Sequence, residues 1–143
     1  MNYQAWEASV PAAIREDVLW SVEVYRLALF IASIGWNDVA ALKKDFSTRD
    51  LSNQLYRSLG SISANIAEGY SRGTNKERAH FYEYALGSAR EARDWYFKAQ
   101  SFLPEEVLAH RLNIMRQIVR LLLVMVQDQR GRTIREEGEN YDA

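Results

Sequence analysis

The stretch SISANIAEGYSR, residues 61–72, determines how the rest of this chain is interpreted. Ile62 and Ile66 continue an apolar stripe that starts at Leu51 and advances by three or four residues, which is helical spacing. An adjoining face of the same helix carries only small side chains, at Ser61, Ala64 and Ala67. Because small side chains let another backbone come close, the stretch predicts the second half of a long, tightly packed helix.

Two short motifs follow one another in the middle of the chain. SISANIAEG at residues 61–69 precedes ALGS at residues 85–88. In this order and at this separation they resemble the signature of the bacterial four-helix bundle proteins called 23S rRNA-intervening-sequence proteins, over about residues 51–126. The resemblance implies an all-helical bundle, often assembled as a ring-like homopentamer, whose biochemical role is poorly defined.

The composition suits one domain with a real core, since 48% of the 143 residues are hydrophobic. The absence of cysteine excludes disulfides, thiolate metal sites and cysteine nucleophiles, and it fits a reducing cytoplasm. The first residues do not resemble a secretory signal. The longest apolar run, residues 121–126, is far shorter than the roughly 20 residues that cross a bilayer. We therefore expect a soluble, cytoplasmic protein with no membrane partner.

The charges nearly cancel. Eighteen Lys and Arg residues against nineteen Asp and Glu residues leave a formal net charge of −1. A generally basic surface that coats nucleic acid is therefore not expected, although local basic patches are compatible with this balance.

Apolar periodicity predicts four long helices joined by short connections. The predicted ranges are about residues 12–34, 48–72, 75–103 and 105–129. Gly35 is expected to end the first helix, and Pro104 to break the chain between the third and the fourth. The residues before the first helix are expected to form an irregular arm or a short turn.

Residues 36–47 predict an additional short helix, capped by Asn37 or Asp38, between the first and second long helices. The fold class is therefore predicted as all-α, an antiparallel up-down four-helix bundle with an extra short helix between helices 1 and 2. Residues 1–130 are expected to form this single domain, and residues 131–143 a polar, mobile tail.

The third predicted helix has a heptad seam that alternates large and small side chains. Its members are Phe81, Ala85, Ser88, Ala92, Trp95, Ala99 and Phe102. Gly87 costs about 1 kcal/mol in mid-helix relative to alanine, so we expect close contact with the small face of the second helix to compensate. Trp95 is expected in the core, and Gly87→Leu is expected to overpack the contact by roughly 1 to 3 kcal/mol.

Asn65 and Glu68 are the sharpest polar pair, because a separation of three places them on one helix face near Tyr70 and Arg72. One interpretation makes these four residues a functional polar site at the end of the bundle. The favoured interpretation is structural: Asn65 hydrogen-bonds a neighbouring helix or subunit, and Glu68 pairs with an arginine.

Catalytic and metal chemistry find little support. Glu77 and His80 form half of the di-iron bundle motif, but the second histidine, His110, is paired with Glu106 at the wrong spacing. No nucleophile–base pair and no Gly-rich phosphate loop stand out. We therefore predict no enzyme activity, no catalytic residue, no metal and no cofactor.

The strongest indication of a function is a cluster of arginines in the fourth helix and the early tail. This region is locally basic, because Asp128 is the one acid between residues 111 and 135. The candidate nucleic-acid contacts are Arg111, Arg116, Arg120, Arg130, Arg132 and Arg135. Three tyrosines, Tyr70, Tyr82 and Tyr96, are candidates for base stacking if they are exposed. The alternative, an ordinary solvated face, is favoured.

The first and fourth helices carry more apolar surface than one bundle can cover, which indicates self-association. The leading hypothesis is a non-enzymatic homo-oligomer, by resemblance a pentamer, that serves as a scaffold or binding module. Its partners would be RNA, DNA or a nucleic-acid-associated protein. The alternative hypothesis is a bundle that binds a small molecule or metal near the end of the second and third helices.

Overall fold

The computed structural model describes residues 1–131, which form α-helices, short 3-10 helices and connections, with no strand in that range. The six α-helices are α1 (Tyr3–Ser9), α2 (Ala12–Arg15), α3 (Glu23–Lys43), α4 (Arg49–Tyr70), α5 (Asn75–Lys98) and α6 (Glu105–Arg130). Short 3-10 helices precede α3 and α4 and follow α5, at Val18–Ser21, Phe46–Thr48 and Gln100–Phe102. The predicted all-α class is confirmed. Apart from Gly131, the predicted tail lies outside the described residues.

Recognisable local signals mark the start of α5 and both ends of α6. Thr74 caps α5, where its hydroxyl accepts a 3.2 Å hydrogen bond from the Glu77 amide. Pro104 precedes α6, whose first turn carries two glutamates that complement the helix dipole. Gly131 ends α6 with a φ of 65°, a left-handed conformation that glycine adopts without strain.

The prediction for the first long helix is wrong. Residues 12–34 do not form one helix, because α2 ends at Arg15 and α3 begins only at Glu23. Between them Asp17 caps a 3-10 turn by accepting a 2.9 Å hydrogen bond from the Leu19 amide. The arm before α2 is itself helical, and its buried Trp6 lets α1 pack against α3.

The predicted extra short helix is also wrong, because residues 36–43 belong to the C-terminal part of α3. Gly35 lies inside this helix and marks a close approach between helices. A Cβ atom at Gly35 would lie 2.5 Å from Leu59 Cδ1 and 3.0 Å from the Tyr96 hydroxyl. Glycine is therefore required at this position by the neighbouring helices and does not terminate α3.

The core lies between the four long helices. Helix α3 contacts α4, α4 contacts α5, α5 contacts α6, and α6 returns to contact α3. Large apolar side chains with less than 2% exposure fill the space between them: Ile31, Leu55, Leu59, Ile62, Ile66, Met115, Ile118 and Leu122. Each such side chain contributes about 1.5–3 kcal/mol through burial. None of the helices within residues 1–131 combines the length and apolar character that crossing a bilayer requires.

The predicted seam of α5 is displaced by one residue at its aromatic positions. Its buried members are Tyr82, Ala85, Ala89, Ala92, Tyr96 and Ala99. Trp95 is only partly buried, and Phe102 is 48% exposed. Aromatic residues stand side by side at 81–82 and again at 95–96, so periodicity alone allowed two registers. Tertiary contacts select the tyrosines.

The predicted close contact at Gly87 is wrong, because a Cβ atom there would meet no atom within 4 Å. The small face of α4 does reach α5 nearby, where Ser88 Oγ donates a 2.9 Å hydrogen bond to Ser61 Oγ. The tight α4–α5 approach lies at Gly69, where an added Cβ would stand 2.7 Å from Tyr82 Cε1. Gly87→Leu is therefore not expected to overpack this interface.

Candidate functional site

A buried polar cluster joins α3, α5 and α6. Tyr96 Oη donates a 2.8 Å hydrogen bond to Asp38 Oδ2. Arg111 donates to both oxygens of the same carboxylate, from Nε at 2.7 Å and from Nη2 at 3.1 Å. The Asp38 and Arg111 side chains are only 8% and 14% exposed. Three donors on one carboxylate, two of them from a bidentate guanidinium, compensate for its removal from water.

The electrostatics of this cluster fix the protonation states of Tyr96 and Arg111. Burial, together with the neighbouring Asp38 charge, raises the pKa of Tyr96 well above its ordinary value. Burial lowers the pKa of Arg111, but hydrogen bonding and attraction to Asp38 outweigh that effect and raise it overall. Tyr96 therefore stays a hydrogen-bond donor and Arg111 stays charged, so the two side chains and Asp38 act as an interhelical clamp.

His110 extends the cluster toward the surface. Arg111 Nη1 lies 2.7 Å from His110 Nδ1. A guanidinium can only donate, so His110 Nδ1 accepts and the proton of the neutral ring is placed on Nε2. Burial and the Arg111 charge lower the pKa of His110. Protonation of His110 would therefore break this hydrogen bond and place two cations side by side.

Sequence reasoning did not bring these residues together. It assigned Asp38 to a helix cap, Tyr96 to base stacking and Arg111 to nucleic-acid contact. One signal was available: if α3 continues past Gly35, Asp38 falls on the buried stripe of Ile31, and a buried aspartate needs a cation. The partner itself lies 73 residues away in the chain, where no local pattern indicates it.

The four residues of the predicted polar site do not form one cluster, although Glu68 pairs with an arginine as predicted. The predicted bond from Asn65 to a neighbouring helix is wrong, because Asn65 bonds within α4. Asn65 Nδ2 donates to the backbone oxygen of Ser61 at 2.8 Å and to its hydroxyl at 2.9 Å. Glu68 and Arg72 form an exposed ion pair at 3.1 Å, and the Arg72 guanidinium lies 4.7 Å from the centre of the Phe81 ring. Tyr70 is half-buried beside this pair.

The candidate arginines separate into distinct environments. Arg111 is in the interior cluster, and Arg130 Nε donates a 3.2 Å hydrogen bond to Glu83. Arg116 and Arg120 are exposed on α6, and no carboxylate within residues 1–131 lies at ion-pair distance from either. The last two candidates, Arg132 and Arg135, lie outside the described residues. Tyr82 and Tyr96 are buried and therefore are not available for base stacking.

A groove between α5 and α6 is lined by arginines, two of which are not among the predicted nucleic-acid contacts. We call it the α5–α6 groove; its volume is about 460 Å³. Its lining residues are Arg90, Arg93, Asp94, Phe97, Leu112 and Arg116. Asp94, the one acid in this lining, is paired with Lys98 at 2.7 Å. Arg90, Arg93 and Phe97 are spaced by three and four residues, a signal of a shared helix face that was legible in the sequence.

A second cavity, of about 570 Å³, lies where α4 passes into α5 and α6 ends. It is lined by Thr74, Lys76, Glu77, His80, Phe81 and Arg130. This is the end of the bundle to which the small-molecule alternative was assigned. The part of the chain that the structure describes contains no group of three or more His, Asp or Glu side chains placed to hold a metal ion.

Comparison with known families identifies the chain. The model of the family described as 23S rRNA-intervening sequence protein matches residues 21–123, well over half of the sequence. The chain belongs to this family. The matched range contains the buried cluster and the α5–α6 groove, whereas α1 and α2 lie outside it.

A solved structure supports the same fold. It is a protein of unknown function from the S23 ribosomal protein family of Bacteroides thetaiotaomicron. It is 24% identical to this chain, with a TM-score of 0.69 over 73% of this chain and 98% of that one. Likeness at this identity shows the fold alone. No curated protein matches the chain.

Proposed function

We propose that this member of the 23S rRNA-intervening sequence protein family is a non-enzymatic, oligomeric binding module that presents the α5–α6 groove to nucleic acid. The observation that carries the proposal is the pair Arg93 and Arg116. Both line the groove, and no carboxylate among residues 1–131 forms an ion pair with either of them. Unpaired guanidiniums on one face are suited to phosphates, which they bind in bidentate geometry.

The net charge of −1 does not conflict with a local basic site. Arg120 follows Arg116 on α6 and is also exposed and unpaired within the described residues. Arg93, Arg116 and Arg120 therefore lie on this side of the molecule with a single lining acid, Asp94, which Lys98 already neutralises. The expected partner is RNA or DNA, or a protein that carries nucleic acid, in a reducing cytoplasm.

The arrangement of the four long helices and the oligomeric state are also proposed. We propose that α3, α4, α5 and α6 form an antiparallel up-down bundle, because contacts such as Asp38 with Arg111 join the late part of α3 to the early part of α6. The bundle is proposed to close into a homopentamer through heterologous interfaces. Exposed apolar side chains support self-association, among them Trp36 at 54% exposure and Val124 at 53%. A ring would repeat the groove, so weak contacts would add by avidity.

The test begins with light scattering on the size-exclusion peak. The same fraction is then titrated into structured RNA and DNA over a series of salt concentrations. A closed oligomer whose affinity falls steeply with salt is the expected result, because each phosphate contact releases counterions. A monomer would contradict the assembly, and an affinity that does not change with salt would contradict the role of the arginines.

The second cavity supports a second candidate function. Its volume of about 570 Å³ lies within the range of small-ligand sites, about 300 to 1,000 Å³, and its polar lining includes Lys76, Glu77 and His80. Here the protein would bind a small molecule or a metal ion. Elemental analysis of purified protein separates this candidate: stoichiometric iron, manganese or zinc supports the metal version, and metal-free protein contradicts it.

A further inference from the structure

One end of the α5–α6 groove carries an exposed aromatic ring. Phe97 is 55% exposed, although it lines the groove beside the half-buried Leu112. The other end of the groove is cationic, because Arg93 and Arg90 stand one and two helical turns before Phe97 on α5. An apolar platform and phosphate-binding groups therefore share one cavity.

This combination matches the two halves of a nucleotide. A base has a flat π-face that stacks on an aromatic side chain, and the adjoining phosphate is an oxyanion that arginine binds. The volume of about 460 Å³ suits one such unit. Bases of a duplex are already stacked on each other, so a duplex has no free base face in its interior for Phe97.

We infer that the α5–α6 groove is a single-strand site, in which Phe97 stacks on an unpaired base and Arg93 and Arg116 bind the flanking phosphates. The inference rests on the proposed function and narrows its partner from nucleic acid in general to single strands. Asp94 does not oppose the phosphates, since Lys98 neutralises it at 2.7 Å. Arg90 adds positive charge at the far end of the groove.

The test measures fluorescence anisotropy of a short labelled oligouridylate, an oligothymidylate and a mixed-sequence duplex as the full chain is added. We expect both single strands to bind more tightly than the duplex. Binding of either supports the site, and the tighter of the two identifies the sugar it prefers. A duplex that binds as tightly as the single strands would overturn the inference.

Phe97→Ala tests the stacking contact directly. Loss of one stacked base should weaken single-strand binding by about 5- to 150-fold and leave duplex binding unchanged. Phe102→Ala is the matched control, because Phe102 is 48% exposed and does not line the groove. Phe97→Tyr should restore binding, since tyrosine keeps an aromatic face. Unchanged single-strand affinity in Phe97→Ala would overturn the inference.

Arg93→Gln with Arg116→Gln tests the phosphate contacts. Removing two contacts should reduce the magnitude of the slope of log affinity against log salt by about 1.4 for a single strand. Arg57→Gln, at an exposed arginine on α4, is the matched control and should leave the slope unchanged. Melting curves of each variant verify that it is folded.

The outcomes separate this inference from the proposed function. Failure of the intact protein to bind any of the three probes overturns both. If the double arginine variant weakens all three probes equally while Phe97→Ala has no effect, the proposed nucleic-acid function stands and the single-strand site is wrong.

Discussion

Arg111 and Arg116 lie on the same helix, yet their surroundings have almost nothing in common. Arg111 is 14% exposed and makes a bidentate contact with Asp38 of α3. Arg116 is exposed, and its described partner is the neutral Asn113, which accepts a 3.0 Å hydrogen bond. An arginine-rich helix is therefore not by itself a binding surface. What matters is whether the fold brings a carboxylate to each guanidinium.

The largest expected effect is the difference in unfolding free energy between Arg111→Ala and Arg116→Ala. Arg111→Ala leaves the Asp38 carboxylate buried with only Tyr96 as a partner, and breaking a buried pair this way costs about 3–5 kcal/mol. Arg116→Ala is expected to change the free energy of unfolding by less than about 0.5 kcal/mol, as surface substitutions usually do. Urea denaturation followed by circular dichroism measures both. Equal losses in the two variants would contradict the clamp.

The next effect compares two glycines. Gly35→Ala would force Leu59 and Tyr96 to move, because the new Cβ atom stands 2.5 Å from Leu59 Cδ1, and overpacking of this kind costs about 1–3 kcal/mol. Gly87→Ala meets open space and should stabilise α5 by about 1 kcal/mol through helix propensity. Chemical denaturation of both variants shows whether each substitution lowers or raises the free energy of unfolding. A stabilising Gly35→Ala would contradict the close approach of α3 to α4 and α5.

A smaller effect concerns pH at the surface end of the clamp. The pKa of His110 is lowered from its ordinary 6.5 by burial and by Arg111, so the unfolded chain takes up a proton before the folded one does. The contribution of His110 to the free energy of unfolding should therefore be fully present above pH 6.5. It should be lost as the pH falls toward the pKa of His110 in the folded protein.

His110→Asn tests the origin of that pH dependence. Asparagine supplies a neutral acceptor for Arg111 and does not titrate, so the contribution of residue 110 should disappear. Unfolding free energies at neutral pH and at about pH 5, for both proteins, make the comparison. An identical pH profile in the two proteins would show that His110 has no part in it.

The smallest effect belongs to the exposed pair of Glu68 and Arg72. Surface pairs at this helical spacing contribute about 0.3–0.5 kcal/mol, because water screens them and both side chains lose freedom. A double-mutant cycle with Glu68→Gln and Arg72→Gln measures the coupling energy. A value near that of the Asp38–Arg111 pair would mean that burial does not set the strength of these ion pairs.

Much of the fold was predictable because its signals are local. Thr74, Pro104 and Gly131 mark helix boundaries that any reader of the chain can place within a few residues. Gly35 was misread because a glycine that ends a helix and a glycine that admits a neighbouring helix look the same in one dimension. The register of α5 was misread because Phe81 and Tyr82 satisfy the helical period equally well.

The candidate site was less predictable than the fold. Arg116 and Arg120 were identified from charge alone, and they remain on the surface. The spacing of Arg93 and Phe97 places them on one helix face, but the groove itself could not be predicted because Arg116, which completes it, lies on the next helix. Asp38, Tyr96 and Arg111 were each assigned other roles, since pairs separated by 58 and 73 residues leave no trace in the spacing of the sequence.

The all-α class, the extents of α4 and α6 and the start of α5 follow from the sequence alone, because periodicity and helix boundaries depend on neighbours within a few residues. The two motifs at residues 61–69 and 85–88 indicate the family. The predicted end of α5 at residue 103 is wrong, because α5 ends at Lys98 and a 3-10 helix follows it. The burial of each arginine, the crowding at each glycine and the exposure of each aromatic ring depend instead on tertiary contacts. Those outcomes depend on what the other helices bring to each position, and the free energy of a charge or a methyl group changes by several kcal/mol with that environment.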